Sequence, residues 1–428
     1  MLYKWGILAL LALWVPSQAM AQDAWTLSGF ASIGAGRLAD DNLEYLDYTS
    51  GRWSFEGDSV FGLQLDLNLA DRLSLVSQVV SRGYNQDDTS EFEPELDWFF
   101  LRYQLDNAWR ARIGRMRTPL YLYSETIDVG YSYVWVRPPT DVYAPIASPF
   151  SNFDGADLVY LSELGDYNLD IQLLTGRMKR SRNDLEISVD PLLGGNLTLQ
   201  NQNLTLRYAL MMLCTDVTWS NLEQLEDYYH VAGPLVSLYA GQDLTGVFEE
   251  IAKGFSAVDN WYIYQTLGLK WTTGNVTTTG EFFRLENTDD GYTNNATGAY
   301  LSLQYNFKQF TPYLVAGYYH NEFGQDALRA VNESYSAWPA HQSIPLFQLQ
   351  VDQLDLLREQ TVDFIDSLNY KQQTWTLGVR YDVYRNIALK AEWQYFDILQ
   401  GRGGQLVWTD TDVTDHTSLT TLTLDVVF

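Results

Sequence analysis

Residues 374–397 read TWTLGVRYDVYRNIALKAEWQYFD. Trp375, Leu377, Val379, Tyr381 and Val383 alternate with Thr376, Arg380 and Asp382. After Arg385 the pattern restarts: Ile387, Leu389, Ala391, Trp393 and Tyr395 oppose Lys390, Glu392 and Gln394. A period of two over about ten residues is the signature of a strand with one apolar and one polar face. Two such strands joined by a turn this short form an antiparallel hairpin.

The same pattern fills the chain. FGLQLDLNLA (61–70) sets Phe61, Leu63, Leu65, Leu67 and Leu69 against Gln64, Asp66 and Asn68, and FFLRYQLD (99–106) sets Phe99, Leu101, Tyr103 and Leu105 against Phe100, Arg102 and Gln104. Sixteen strands follow: 24–34, 59–69, 72–82, 96–106, 108–117, 155–162, 166–176, 194–200, 203–216, 260–273, 275–286, 296–307, 309–320, 372–384, 386–398 and 416–428. Their links alternate between short (such as Asn201-Gln202, Gly274 and Lys308) and long: 35–58, 83–95, 118–154, 177–193, 217–259, 287–295, 321–371 and 399–415. An even strand count, short turns at one end and long polar loops at the other predict an all-β, 16-stranded antiparallel transmembrane barrel. A sandwich would distribute its loop lengths more evenly. Trp25, Trp109, Trp271, Trp393 and Tyr395 sit near the ends of the apolar face, where interfacial girdles belong. Closure pairs every backbone group, as lipid requires, and about sixteen strands leave room for water inside.

The N-terminal residues 1–21 combine Lys4, an apolar run from Ile7 to Val15 and the small-x-small triplet Ala19-Met20-Ala21. They predict a cleaved signal peptide and hence export, leaving 22–428 as a single barrel domain. Beyond it no apolar run is long enough for a spanning helix. Cys214 is the only cysteine, so no disulfide contributes. The formal net charge is −27, which points away from nucleic-acid partners, while 14% aromatic residues argue against disorder.

Two long loops carry helical spacing. In 217–259 the set is Leu244, Val247, Phe248, Ile251 and Phe255, with Asp243 as N-cap; in 321–371 it is Leu354, Leu357, Thr361, Phe364, Ile365 and Leu368. Such stripes must bury against something, either the barrel rim or a neighbouring loop, or they form a lid over the mouth. The acidic loops suit solubility and repulsion of macromolecules. A weaker alternative is Ca²⁺ at Asp410, Asp412 and Asp415 bridging to lipopolysaccharide, though these lack a fixed ligand spacing.

Inside the barrel, alternation places Arg72, Arg82, Arg102, Arg110, Arg112, Arg207, Lys270, Arg380 and Lys390 on the lumen wall, with Asp66, Asp170, Glu281, Asp382, Glu392 and Asp425. The wall therefore leans basic, and arginine ladders stabilise anions in transit. The link 118–154 offers Tyr121, Tyr123, Glu125, Asp128, Arg137 and Asp141. Folded inward, it would set carboxylates against Arg110 and Arg112 as a constriction; alternatively those arginines simply hold the loop. Arg115 and Arg117 fall on the outward face unless a bulge near Gly114 turns them in. Outward, they meet headgroups, lipopolysaccharide or a neighbouring subunit.

An alternating last strand closing on Phe428 (LTTLTLDVVF, 419–428) looks like the insertion signal of bacterial outer-membrane barrels. The order of elements is similar to that of the trimeric porins. GRMRTPLYLYSETIDVGYSYVWVRPPTDVY (114–143) resembles the fifth strand and third loop of a proteobacterial branch near the phosphate-selective and dicarboxylate-type porins. The resemblance implies an outer-membrane homotrimer, embedded in lipid and lipopolysaccharide, that passes small hydrophilic solutes by passive diffusion. The alternative is a substrate-specific channel for small anions such as dicarboxylates or phosphate. The four histidines (His230, His320, His341, His416) sit in no nucleophile or metal motif, so no enzyme and no cofactor are predicted.

Overall fold

A computed structural model describes residues 24–40, 43–45, 48–49, 52–83, 91–143, 151–182, 185–240, 243–289, 294–335, 345–400, 407–408 and 415–428. The expected signal peptide lies outside the described residues.

Sixteen antiparallel strands close into one barrel. They are β1 (Trp25–Leu38), β2 (Val60–Ala70), β3 (Leu73–Arg82), β4 (Pro94–Gln104), β5 (Trp109–Arg117), β6 (Asn152–Leu164), β7 (Tyr167–Arg182) and β8 (Leu185–Gln200), followed by β9 (Leu204–Trp219), β10 (Asn260–Thr273), β11 (Val276–Asn287), β12 (Asn294–Tyr305), β13 (Phe310–Phe323), β14 (Tyr370–Tyr384), β15 (Ile387–Gln400) and β16 (His416–Val427). Each pairs with its sequence neighbours, and β16 pairs back onto β1. Closure reaches the last residue: Gly29 N donates to Phe428 O at 2.8 Å and Phe428 N to Gly29 O at 3.0 Å. A Cβ on Gly29 would lie 2.5 Å from the Phe428 ring, so this seam needs glycine.

Every strand read from alternation is present, but one expected link is not. The link 177–193, expected as a long loop, is mostly strand, because β7 continues to Arg182 and β8 begins at Leu185. Pro191 lacks a donor, and pairing shifts register between Val189 and Leu192; that irregularity hides the period.

The outward face is apolar, with exposed Leu63, Phe99, Leu173, Leu267, Leu301, Leu377 and Leu422. Aromatic residues gather near its short-turn edge: Trp109 packs on Tyr160 with ring centroids 4.7 Å apart, and Phe310 stacks on Tyr381 at 4.6 Å. This is the band-and-girdle surface of a barrel solvated by lipid. No described helix is long and apolar enough to cross a membrane.

The inward face departs from the polar face that alternation predicts. Phe100, Met116, Phe153, Leu174, Met178, Leu213 and Phe283 point inward and are buried. They join one apolar cluster with the loop after β5 and with the helices at the long-loop end. Alternation reports which face a residue takes; it cannot say that an inward face is covered by chain rather than water.

The longer helices lie in the two loops that showed helical spacing. A short turn α1 (Thr140–Tyr143) ends the inward loop; α2 (Ser220–Ala240) and α3 (Thr245–Lys253) link β9 to β10, and α4 (Gln325–Tyr335) and α5 (Pro345–Leu368) link β13 to β14. Leu244, Phe248, Ile251, Phe255, Leu357, Thr361 and Ile365 are buried, so the stripes pack into the barrel's own core. The side chain of Leu354 lies outside the described residues. Leu244 holds the N-cap position of α3 and Asp243 sits one residue earlier, its Oδ1 accepting from Thr245 N at 3.0 Å. Near the barrel seam, Leu43–Tyr45, Tyr48–Thr49 and Val407–Trp408 form a small sheet whose Tyr45 and Tyr48 pack on Phe396 and Leu419.

Candidate functional site: the inward loop and the wall it faces

Strand β5 brings four arginines to the wall, and the chain then turns inward. Arg117 is the hinge. Beyond Arg115, β5 no longer pairs with β4, and Arg117, outward by alternation, is 7% exposed and directed inside. It meets Asp97 at 2.7 Å and Asp128 at 2.6 Å. Arg82 completes the cluster, reaching Asp128 at 2.8 Å and Asp97 at 2.9 Å. Burial works against the Asp128 charge, but Arg82 and Arg117 together hold its carboxyl below the usual carboxylate range. Arg82 and Asp128, expected at the constriction, therefore clamp the first arm of the loop to the wall.

The second arm is held by β11–β16. Glu281 accepts from Leu122 N at 2.7 Å and Tyr300 Oη at 2.8 Å, and also bonds Tyr143 Oη. Trp135 Nε1 donates to Ser302 Oγ at 2.9 Å. Arg380 Nη1 donates to the carbonyls of Tyr131 and Tyr133 at 2.7 and 2.8 Å, its guanidinium lying 4.5 Å over the Tyr131 ring. Lys390, 2% exposed, caps the carbonyls of Gly130 and Trp135 at 2.6 and 2.5 Å and pairs with Asp425 at 2.9 Å. Arg137 reaches Asp58 through Nε at 2.7 Å and Glu392 at 3.6 Å, and stacks over Tyr48. Tyr131 Oη donates to Arg385 O in a short turn, so the loop runs almost the full height of the wall.

Asp141 closes the second arm. Its carbonyl and carboxylate sit against Gly298 and Gly317, where an added Cβ would approach within 2.2 and 2.0 Å. Thr374 Oγ1 donates to Oδ1 at 2.7 Å, and no described cation pairs with the carboxylate. Burial pushes the Asp141 carboxyl up to about 7, the Thr374 hydrogen bond offsetting only part of that rise. Tyr121, likewise expected at the constriction, is buried and bonds Tyr264 Oη.

The expected site residues thus divide. Arg82, Arg137, Lys390, Asp128, Asp141 and Tyr121 fasten the loop instead of facing water, and Arg380 joins them through the loop carbonyls. Arg102, Arg110, Arg112, Arg207, Tyr123 and Glu125 converge with Asp170 and Lys270 on the opposite wall, near the short-turn end. Arg112 is neutralised there by Asp157 (Nε–Oδ1 3.0 Å), and Arg102 lies 3.6 Å from Asp66. Arg207 Nε bonds Thr198 Oγ1 at 3.0 Å and Nη1 bonds Tyr121 O at 2.5 Å. Lys270 lies 5.5 Å over the Tyr123 ring. Exposed Glu125 faces Arg112 and Asp170 within electrostatic reach, and Asp170 is flanked by Arg110 and Arg207. Among the described residues Arg110, Arg207 and Lys270 make no ion pair, and Arg110 Nε is buried without a hydrogen-bond partner. The wall's expected basic lean reduces to this strip.

Sequence reasoning missed Asp58, Asp97 and Asp157. Asp157 had a signal: Leu158 and Tyr160 occupy the outward positions of β6, leaving Asp157 inward and directly opposite Arg112. Asp58 and Asp97 lie at a loop end and a register shift, where alternation gives no facing. Asp410 and Asp412 lie outside the described residues. Asp415 is exposed, and no cluster of three metal-ligating side chains occurs among the described residues.

No protein-family model and no curated protein matches the chain. Solved structures do. The outer membrane channel DcaP of Acinetobacter baumannii is similar over 94% of this chain and 97% of its own, with a TM-score of 0.54 and 11% identity. The anion-selective porin from Comamonas acidovorans gives 94%, 99%, 0.54 and 11% on the same measures. OmpT of Vibrio cholerae is similar over 96% of this chain and all of its own, with a TM-score of 0.51 and 10% identity. At such identities the likeness is one of fold, and the fold this chain shares with them is the closed antiparallel barrel of outer-membrane porins.

Proposed function

We propose that the chain is an outer-membrane porin whose lumen admits small hydrophilic solutes by passive diffusion, with a slight preference for anions. The observation carrying this reading is Arg110: a guanidinium on the inner wall with no ion pair, beside Arg207 and Lys270, which also lack one. An uncompensated cation is tolerable where water and mobile anions reach it. Glu125 on the loop opposes this strip, giving the transverse arrangement of charge that filters solutes by size and dipole. A homotrimer, an outer-membrane location and lipid contacts belong to the same reading. The apolar outward face and the likeness to porin folds support it. An enzyme is disfavoured: His320 and His416 lie on the outward face and His230 is exposed on the helical cap, away from the lumen.

The test is the purified barrel in a planar bilayer under a KCl gradient. Stepwise conductance with a reversal potential on the anion side is expected. Absence of conductance overturns the channel reading. The second reading, a channel specific for small dicarboxylates or phosphate, is favoured by the clustering of Arg110, Arg207 and Lys270. It predicts saturable block by one organic anion, whereas unblocked steps support general diffusion.

A further inference from the structure

Arg115, Asp154 and Arg177 are cross-strand neighbours on β5, β6 and β7, in one row across the outward face. Arg115 binds Asp154 with two hydrogen bonds of 2.8 and 2.9 Å, leaving both side chains nearly half exposed. Arg177 is exposed and, among the described residues, has no hydrogen bond or ion pair. Lys179 lies two residues further along β7 on the same face, 65% exposed and paired with Glu186 at 2.7 Å. Phe99 flanks Arg115 in the same row, and the next row, toward the short-turn end, is Ile113 and Ala156. Beneath the charged row the inward positions are glycines. Gly114 (φ +136°), Gly155 and Gly176 bring three backbones so close that a Cβ on Gly155 would lie 2.1 Å from Thr175 O. The wall is indented there, leaving an open groove of about 810 Å³ lined by Arg115, Arg177, Phe99 and Ile113; a second of about 490 Å³ continues toward Lys179.

We propose that this groove seats the phosphorylated headgroup of an outer-leaflet lipid, phosphate against Arg177 and Lys179, acyl chain along Phe99 and Ile113. The carboxylate neighbour of Arg177, Asp154, is already doubly bonded to Arg115, so the Arg177 guanidinium at the upper edge of the apolar band is placed for a planar, doubly bonded phosphate. Arg115 is held by Asp154 and supplies the groove's wall. The acidic loops of a chain with net charge −27 repel phosphate elsewhere, so this row is a local exception. Continuity of the charged row with the apolar band selects a lipid over a soluble anion, which would have no use for Phe99 and Ile113. The inference rests on the outer-membrane reading above.

The test uses the full chain in detergent and native mass spectrometry, with diphosphoryl lipid A and its dephosphorylated form as probes. The wild type should retain the diphosphoryl lipid in preference. Arg177→Glu with Lys179→Glu should weaken retention about tenfold, on the order of what two exposed charge pairs contribute. Arg177→Gln with Lys179→Gln should lie between, and decides the matter if the glutamate variant fails to fold. Equal retention of both lipids, or by all folded variants, overturns the proposal. So does an altered oligomeric mass with unchanged lipid retention, which would make this face a contact between copies. Planar-bilayer conductance of the same variants should stay at the wild-type level: a wild type that conducts but shows no preference for the diphosphoryl lipid sinks this inference alone, and a silent wild type that keeps the preference sinks the channel reading alone.

Discussion

Asp141→Asn isolates the charge at the end of the inward loop. Asp141 is 1% exposed, wedged against Gly298 and Gly317, and lacks a cation partner among the described residues. Burial raises its carboxyl from the usual 3.8 to about 7, a shift of 7 − 3.8, or about 3 pH units. Each unit corresponds to about 1.4 kcal/mol, so the folded state resists ionising Asp141 by roughly 4 kcal/mol. The sign follows from the raised value. Below pH 4 the group is protonated in both states and the fold feels no penalty. Between pH 4 and 7 the unfolded chain releases a proton that the folded chain keeps, and stability falls; above 7 the penalty is complete.

Asparagine keeps an oxygen for the Thr374 hydroxyl and cannot ionise. The measurement is urea unfolding of the refolded barrel, followed by tryptophan fluorescence at pH 5 and pH 8, for both proteins. Other carboxylates, including Asp128 and Glu281, titrate alike in the two and cancel in the difference. The stability difference should shift by roughly 3 kcal/mol toward the variant at pH 8, two of the three units falling in that window. A shift below about 0.5 kcal/mol, the error of a surface substitution, or a shift of opposite sign would refute the burial argument.

Further substitutions probe the anchoring and the lumen strip. Gly317→Ala sets a Cβ about 2.0 Å from the Asp141 carboxylate, so α1 must move; destabilisation of about 1–3 kcal/mol by urea unfolding and noisier single-channel current are expected, and a silent substitution would argue against the contact. Lys390→Met leaves Asp425 buried without its cation and frees the carbonyls of Gly130 and Trp135, at about 3–5 kcal/mol, whereas adding Asp425→Leu should recover most of that loss. Arg110→Glu should carry the reversal potential under a KCl gradient toward cations. Arg112→Gln should shift it less while costing stability, because it strands Asp157; equal shifts would mean both side chains face the passage.

The barrel was legible because its determinants are local. Period two, turn length and a terminal phenylalanine are each read within about fifteen residues, and all sixteen strands followed from them. The start of β8 was lost where Pro191 interrupts the period. The interior was only half legible, and for a different reason. Leu174, Leu213 and Phe283 are inward and apolar because the loop after β5 and the helical cap cover them, a fact of contacts between segments far apart in the chain. The anchoring partners share that origin: Arg137 meets Asp58 and Glu392, some 80 and 255 residues away, and nothing in the spacing of any of them announces the meeting.

Strand β5 shows how one residue type is given four tasks by position alone. Arg110 faces inward without an ion pair, Asp170 standing nearby; Arg112, next on the same face, is neutralised by Asp157; Arg115 faces outward and binds Asp154; Arg117 turns inside to hold Asp97 and Asp128. Each placement is the one its surroundings permit. A guanidinium in the hydrocarbon depth of a barrel's outer face costs about 2–4 kcal/mol, so Arg115 belongs at the band's edge, paired. A guanidinium under a packed loop must be fully bonded, and Arg117 has two carboxylates. Only water can hold an unpaired one, and that restricts Arg110 to the solvated part of the lumen. The task of each arginine therefore depends less on the guanidinium than on the aspartates set beside it. Adding a carboxylate opposite Arg110, for instance Val159→Asp on its cross-strand partner, should erase the proposed anion preference as completely as removing the arginine. If the reversal potential of that variant matches the wild type, the selectivity resides elsewhere on the wall.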